Sequence, residues 1–455
     1  MKERVFAKST TAEKIIYGLG DVGANLCWTF MAMYVTMYYT DSVGISAAVA
    51  GTMMFVARIF DGISDILGAM LIEKVHFKLG KIRPWFLIAA PLLGISLFLS
   101  FHVPHGLDIQ GKTVYIFITY TFTAAVSYTI YNLAFSAILP LMSMDNQDRN
   151  TAATVGRFVT TSGVTIMFFV TPLLLARWGG GKAQDAWSMI STVYALLSTV
   201  LVLAMGLFIK EKERPQAEAA GQNEAGLPKE SFGKMLKMVL TTKYTWILFG
   251  MFFAFYLFSG VTAVRVYYFK DVLGNLSLYS TGSMLASLPG LAALVLIPFI
   301  FSKVGKKQAV IGGMVIFVIS NIIFSIFAGN VNVAYACIVV MSLAWTPLTA
   351  VIYVYIADLV DYIYMKKNVR AEGIASMTSS IGTKIGTGLG SAVVGWGLSL
   401  CGYNAIAEVQ TAATQKGIIA MTTILPIVIG IALIVMVMFW NVDKEKEQAE
   451  SGIQQ

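Results

Sequence analysis

Charge is scarce in this chain of 455 residues: Asp, Glu, Lys and Arg make up 13% of it, against about a quarter in soluble domains. So few charges cannot cover a water-facing surface, which excludes an ordinary soluble protein. Cysteine is equally thin. Cys27, Cys337 and Cys401 show no CxxC spacing, and the first two lie in apolar runs, which argues against a disulfide scaffold and for small buried side chains. The three histidines, His76, His102 and His105, fall in expected loops. His102 and His105 could bracket a metal, but a solvated loop is the plainer reading. No cleavable signal peptide is evident: Met1 to Lys14 is polar, and the apolar run after it outlasts a signal sequence. No polar stretch is long enough for a separate signalling domain, and no nucleophile or metal cluster marks a membrane enzyme.

What the chain does have is apolar residues, 57% of the total, with a mean hydropathy of +0.71. Runs of roughly 20 such residues span a bilayer as helices. The net charge of +8 would suggest nucleic acid in a soluble protein. Here the basic residues sit in short loops between apolar runs, which is the positive-inside pattern, and no nucleic-acid partner is expected.

The runs predict twelve spans: Ile15 to Tyr39, Ala47 to Ile72, Pro84 to Phe101, Thr113 to Met142, Thr151 to Leu175, Trp187 to Ile209, Tyr244 to Phe269, Ser277 to Phe301, Gln308 to Ala328, Val331 to Tyr362, Ala371 to Leu400 and Gly417 to Trp440. An Ala/Glu/Gln/Gly-rich stretch after the sixth reads as a flexible linker. The expected plan is a six-helix bundle over 1–209, a cytoplasmic linker over 210–240, a second bundle over 241–441 and a tail over 442–455. This all-α membrane plan resembles the major facilitator architecture, with binding near mid-membrane. Lys74, Lys78, Lys81 and Arg83 in the 2–3 loop, Lys303, Lys306 and Lys307 in the 8–9 loop, and Lys366, Lys367 and Arg370 in the 10–11 loop place both termini in the cytoplasm.

Ionised groups inside spans are costly and are functional candidates by default. Asp61 and Asp65 stand four residues apart in Arg58-Ile-Phe-Asp61-Gly-Ile-Ser64-Asp65, on one helix face. Two like charges there want a cation between them or a proton on one. Ser64 adds a neutral oxygen, so the group suits Na⁺ or H⁺. The plainer reading pairs Asp61 with Arg58 and Asp65 with a loop base. Asn25 and Asn132 are amides in apolar runs, with Tyr128 and Thr129 within one turn of Asn132. They offer donors and acceptors to a hydroxyl, or serve as interhelical glue. Arg157 and Lys384 are isolated cations, Lys384 sharing its stretch with Ser379, Ser380 and Thr383. Snorkelling is the plain reading for Arg157, as it is for Arg265 and Lys270. Asp358, Asp361, Arg370 and Glu372 flank the 10–11 loop and with Arg149, Lys81 and Arg58 make a candidate gating set. Static pairs in a solvated loop are the alternative. Asp21 is open between core pairing and function.

Several stretches then form an ordered set: Tyr17-Gly-Leu-Gly-Asp-Val-Gly-Ala-Asn25-Leu, Tyr39-Thr-Asp41, Arg58-Ile-Phe-Asp61 with Asp65, Gly80-Lys-Ile-Arg83-Pro-Trp85, Tyr128-Thr129-Ile-Tyr-Asn132, Arg157-Phe, Ala357-Asp358-Leu-Val-Asp361-Tyr362 and Arg370-Ala-Glu372. Together they resemble the glycoside–pentoside–hexuronide:cation symporters, the family of melibiose permease, over nearly the whole chain. The resemblance implies symport of a sugar or glycoside with Na⁺ or H⁺ by alternating access, by a monomer in the cytoplasmic membrane, with no other cofactor. It implies a cation site at Asp61, Asp65 and Thr129, to which Ser64 adds its oxygen, positions lining or adjoining the sugar site at Tyr128, Arg157 and Lys384, and a cytoplasmic lock at Asp358 and Arg370. Departures from melibiose permease stand at Ser64 (asparagine there), Asn25 and Asn132 (aspartates), Ala24 (lysine) and Ser136 (tryptophan). Two fewer carboxylates make the pocket more positive, which tolerates a glucuronide as well as a neutral pentoside. A lipid or drug carrier on the same scaffold is the alternative, and Lys384 counts against it.

Overall fold

A computed structural model of the chain describes residues 8–75, 77, 79–143, 145–179, 181–212, 237–367 and 372–445. Apart from one isolated bridge between Phe77 and Gly80, the regular structure of these residues is helical. The chain divides into two compact units. One is 1–223 with Gly274–Thr281 and Leu398–Val409, and the other is 224–273 with 282–397 and 410–455.

In the first unit α1 (Thr11–Met37), α2 (Ala47–Lys74), α3 (Arg83–Ser100), α4 (Ile109–Phe122), α5 (Thr129–Met142), α6 (Asn146–Arg177) and α7 (Gln184–Phe208) make six spans, because α4 and α5 are one helix joined by a π-helical turn, Thr123–Tyr128. The starts are set by side-chain caps. Thr10 and Glu13 form a reciprocal capping box, and Asp145 accepts from Gln147 and Asp148, which satisfies donors the helix cannot. The Asp145 cap explains why α6 begins five residues before the predicted Thr151: a polar turn extends the span beyond its apolar run. Lys8 lies 3.0 Å from Asp145, and its hydrogen bond holds that carboxyl below the usual carboxylate range. α1 packs on α6 where Gly18 meets Gly156. A Cβ on Gly18 would stand 2.7 Å from the Val159 Cβ and 2.9 Å from the Gly156 oxygen, so only glycine permits that approach. Phe30, Tyr34, Tyr38, Phe101 and Trp187 fill the core around α1, and Tyr403 donates to Asp41 at 2.9 Å.

The second unit contains α8 (Lys243–Val261), α9 (Val264–Tyr267), most of α10 (Leu278–Leu294), α11 (Ile297–Val304), α12 (Lys306–Ile326), α13 (Val331–Val351), α14 (Val354–Lys367), most of α15 (Glu372–Leu400) and α16 (Ala412–Phe439). α8–α9, α10–α11 and α13–α14 are the broken forms of the predicted seventh, eighth and tenth spans. α10 and α11 meet at a 60° bend, with Pro298 opening α11 where its missing N–H costs nothing.

Each unit repeats the same fastenings. A π turn ends the first span of each, Tyr38–Ser42 and Tyr268–Val272. Its leading tyrosine donates to the carbonyl at the end of the third span: Tyr38 to Phe101 at 3.0 Å, Tyr268 to Ala328 at 2.6 Å. A base from the 2–3 or 8–9 loop caps the carbonyl end of the sixth span. Arg83 donates to Gly206 and Leu207, and Lys307 to Met438 and Trp440. Glu211, expected in the linker, instead accepts from the amides of Lys81, Ile82 and Arg83 at 2.9, 2.8 and 2.8 Å, so 210–212 belong to the packing of the first unit.

Eight helices among the described residues, or nine counting the bent pair, are long and apolar enough to cross a membrane by composition alone. α1, α2 and α15 fall short for a physical reason: they carry Asp21 and Asn25, Arg58, Asp61 and Asp65, and Lys384 with its serines and threonines. The least apolar spans are the ones that bear the candidate site.

Candidate functional site

Asp61 is the centre of the polar cluster in the first unit. α2 carries it inward, to 7% exposure, while Ile59, Phe60 and Ile63 on the other faces stay exposed. Thr129, 2% exposed, reaches it from the first turn of α5 and donates to Asp61 Oδ1 at 3.2 Å. Thr129 Oγ1 also lies 3.3 Å from Ser64 Oγ. The π turn ends at Tyr128; such turns shift the helical register and recur at functional sites. Asp65 is half-buried one turn along the same face. The Asp61 carboxylate and two hydroxyls thus converge from α2 and α5 in a donor set of hard oxygens, with Asp65 one turn along α2, which suits Na⁺ or a proton.

Arg58, expected among the gating residues, stands beside Asp61, the pairing of the plainer reading. It is 8% exposed, its Nη1 stands 3.5 Å from Asp61 Oδ2, and its guanidinium lies 4.1 Å from the centre of the Trp28 ring. A cation over an indole face is held there by the ring quadrupole. Trp28 stacks on Tyr128 at 4.7 Å, so indole and phenol together set the guanidinium in place. Among the described residues its Nε and Nη2 find no acceptor of good geometry, which is costly for a buried donor, although the Tyr120 phenol of α4 interacts with the guanidinium. Sequence reasoning passed over Trp28; the available signal was its position three residues after Asn25, one turn along the polar face of α1.

Asn25 is half-buried. Its amide donates to the Asp21 carbonyl at 2.8 Å and its oxygen accepts from Thr29 at 2.7 Å. Asp21, left open by the sequence, gathers neighbours from two other helices: Tyr131 at 3.5 Å from α5, and Thr160 and Arg157 from α6. The Arg157 charge therefore faces a carboxylate within the first unit, although its side chain is exposed. Asn132 is exposed and Tyr128 half-buried. Arg149 is half-buried.

In the second unit α15 carries Ser379, Ser380, Thr383 and Lys384. Ser379 is buried and donates to Ser376 O at 2.7 Å, Thr383 to Ser379 O at 2.9 Å and Thr387 to Thr383 O at 2.8 Å. The hydroxyls of Ser379 and Thr383 thus spend their hydrogens on their own helix and offer only lone pairs. Ser380 and Lys384, four apart, share another face, with Lys384 half-buried. Gly382, Gly386 and Gly390 seat α15 on α8: a Cβ on Gly386 or Gly390 would stand 2.5 Å from the Phe253 or Leu257 oxygen. Asp358 is buried and Asp361 exposed. Arg370 and the Glu372 side chain lie outside the described residues, as do His76 and Lys78.

Comparison with known proteins follows the same line. The profile of the family described as MFS/sugar transport protein matches residues 16–444. The chain is 30% identical over 98% of its length to the isoprimeverose transporter of Lactiplantibacillus pentosus, covering 91% of that protein. It is 26% identical over 93% of its length to the glucuronide carrier protein homolog of Escherichia coli (strain K12), covering 90% of that one. The crystal structure of a D-xylose-proton symporter superposes with a TM-score of 0.63 at 17% identity, over 94% of this chain and 97% of that one, which shows the fold. The chain belongs to the MFS/sugar transport protein family and to its glycoside–pentoside–hexuronide symporter branch. It is a multi-pass membrane transporter and not an enzyme.

Proposed function

We propose that this member of the family imports a sugar or glycoside across the cytoplasmic membrane together with Na⁺ or H⁺, by alternating access, with both termini in the cytoplasm. The observation that carries the reading is the Asp61 cluster: a carboxylate 7% exposed inside a span, with Thr129 and Ser64 hydroxyls beside it and Asp65 one turn away. An ionised group at that depth is expensive unless a positive charge answers it. Arg58 at 3.5 Å supplies one, and an incoming cation takes over that role.

Release from Asp61 leaves the Arg58 guanidinium, with two nitrogens that find no acceptor of good geometry among the described residues, to receive oxygens of the cargo beside Tyr128 and Trp28. Cation and sugar then raise each other's affinity by the same factor. A guanidinium recognises carboxylates in a bidentate manner and hydroxyls singly, which supports glucuronides and pentosides alike; the names of the relatives point the same way. Asn25, Asn132, Arg157, Ser380 and Lys384 are the proposed remaining sugar contacts, and Arg149, Asp358 and Asp361 the proposed gate.

The test is uptake of labelled pentosides and glucuronides by proteoliposomes under separate Na⁺ and H⁺ gradients. Wild type concentrates one sugar class under one gradient. Asp61→Asn loses concentrative uptake and keeps sugar exchange. Concentrative uptake that survives in Asp61→Asn/Asp65→Asn overturns the coupling site.

A further inference from the structure

A second feature of the first unit has no part in the transport scheme. A cleft of about 430 Å³ opens between α2 and α5 at the ends that meet the 2–3 loop, within the size range of ligand-holding cavities, about 300–1,000 Å³. Its walls are Ala69 and Ile72 of α2 and Ala137 and Pro140 of α5, and Lys81 and Ile82 stand at its mouth. The two helices touch just above it: a Cβ on Gly68 would lie 2.8 Å from Leu133 Cδ1 and 3.3 Å from Thr129 Cγ2. Below that contact Ala69 and Ala137 face each other with little side chain to fill the gap, and Ile72, Leu133 and Leu141 complete an apolar lining.

We propose that this groove holds an acyl chain of an anionic phospholipid whose phosphate sits on Lys81. Three observations argue for that occupant. The rim is continuous with exposed apolar surface, since Leu67, Met70 and Leu71 of α2 are exposed. The loop at the mouth carries exposed Phe77 and Leu79 beside Lys81, the mixture of apolar and basic side chains that settles at headgroup depth. The backbone of Lys81 is fixed by Glu211, while its exposed ammonium takes no carboxylate partner among the described residues. Basic pockets between spans on the cytoplasmic side bind anionic headgroups, so the headgroup assignment rests on the orientation proposed above. The occupancy of the groove does not.

Native mass spectrometry of the full chain, released from nanodiscs of mixed phosphatidylglycerol and phosphatidylcholine, tests it. The expected result is one retained lipid per protein with phosphatidylglycerol favoured about fivefold, the effect of one lysine near the membrane surface. Lys81→Gln abolishes the preference and still retains lipid. Ala137→Phe fills the groove and abolishes retention, while the protein keeps its wild-type elution volume and helical circular dichroism. Inorganic phosphate at millimolar concentration leaves retention unchanged. Equal retention of both lipids by wild type overturns the headgroup assignment, and retention undiminished in folded Ala137→Phe overturns the site. Neither readout requires transport, so failure here and failure of the symport reading are separable.

Discussion

Thr129→Val removes one oxygen from the Asp61 cluster, together with its 3.2 Å contact to the Ala124 carbonyl of the π turn, and keeps the shape of the side chain. The hydroxyl donates to Asp61 Oδ1 at 3.2 Å, long beside the 2.5–2.7 Å of a strong hydroxyl–carboxylate bond, so it contributes little while Arg58 answers the charge. Its oxygen matters more once a metal cation arrives. A hydrogen bond to a charged group is worth about 1.5–3 kcal/mol, and an oxygen lost from around a cation is taken as comparable. At about 1.4 kcal/mol per tenfold, the half-saturating Na⁺ concentration for sugar uptake rises roughly 10- to 100-fold, and Thr129→Ser restores it. A proton-coupled carrier shows the effect in the pH dependence of uptake instead. The assay is initial sugar uptake by proteoliposomes, titrated once with Na⁺ at fixed pH and once with pH at fixed salt. If neither midpoint moves in Thr129→Val, Thr129 is no part of the coupling site and the reasoning fails.

Other perturbations have equally definite outcomes. Gly386→Ala drives a Cβ to 2.5 Å from the Phe253 oxygen. Overpacking of about 1–3 kcal/mol lowers the unfolding temperature in detergent by several degrees, whereas Gly312→Ala, with nothing within 4 Å, leaves it unchanged. Glu211→Ala deprives three amides at the start of α3 of their acceptor. A loss of about 1–2 kcal/mol, that of a strong cap, is expected as faster hydrogen exchange at Lys81–Arg83. The Lys8–Asp145 contact lowers the Asp145 pKa on folding, so its contribution is complete above the ordinary carboxylate pKa of about 3.9 and disappears as pH falls through the lower folded value. Exchange at the Gln147 and Asp148 amides, which donate to Asp145, accelerates in that acid window after correction for intrinsic rates, and Asp145→Asn removes the pH dependence.

Much of the site was legible because its signals are local. Asp61 and Asp65 share a face by spacing alone, Ser64 adds an oxygen from the same helix, and Thr129 joins them as the family resemblance implies. What escaped was partnership at long range. Arg58 belongs to Asp61 and to Trp28, thirty residues earlier; Arg157 faces Asp21; and the hydroxyls of Ser379 and Thr383 are turned onto their own helix. The breaks in the fourth, eighth and tenth spans were also invisible to hydropathy, since a π turn or a bend leaves apolar content unchanged.

The sequence by itself determined that the chain lives in lipid, how many times it crosses and which spans carry charge. Transfer into hydrocarbon is summed residue by residue along a helix that satisfies its own backbone. Only the tertiary structure decided which buried charge answers which, where the two repeated units fasten their ends, and that α2 and α5 close at Gly68 and part below it. Those outcomes depend on distances between residues far apart in the chain. At such distances a glycine, a capping carboxylate or an indole face selects among partners that composition leaves equivalent.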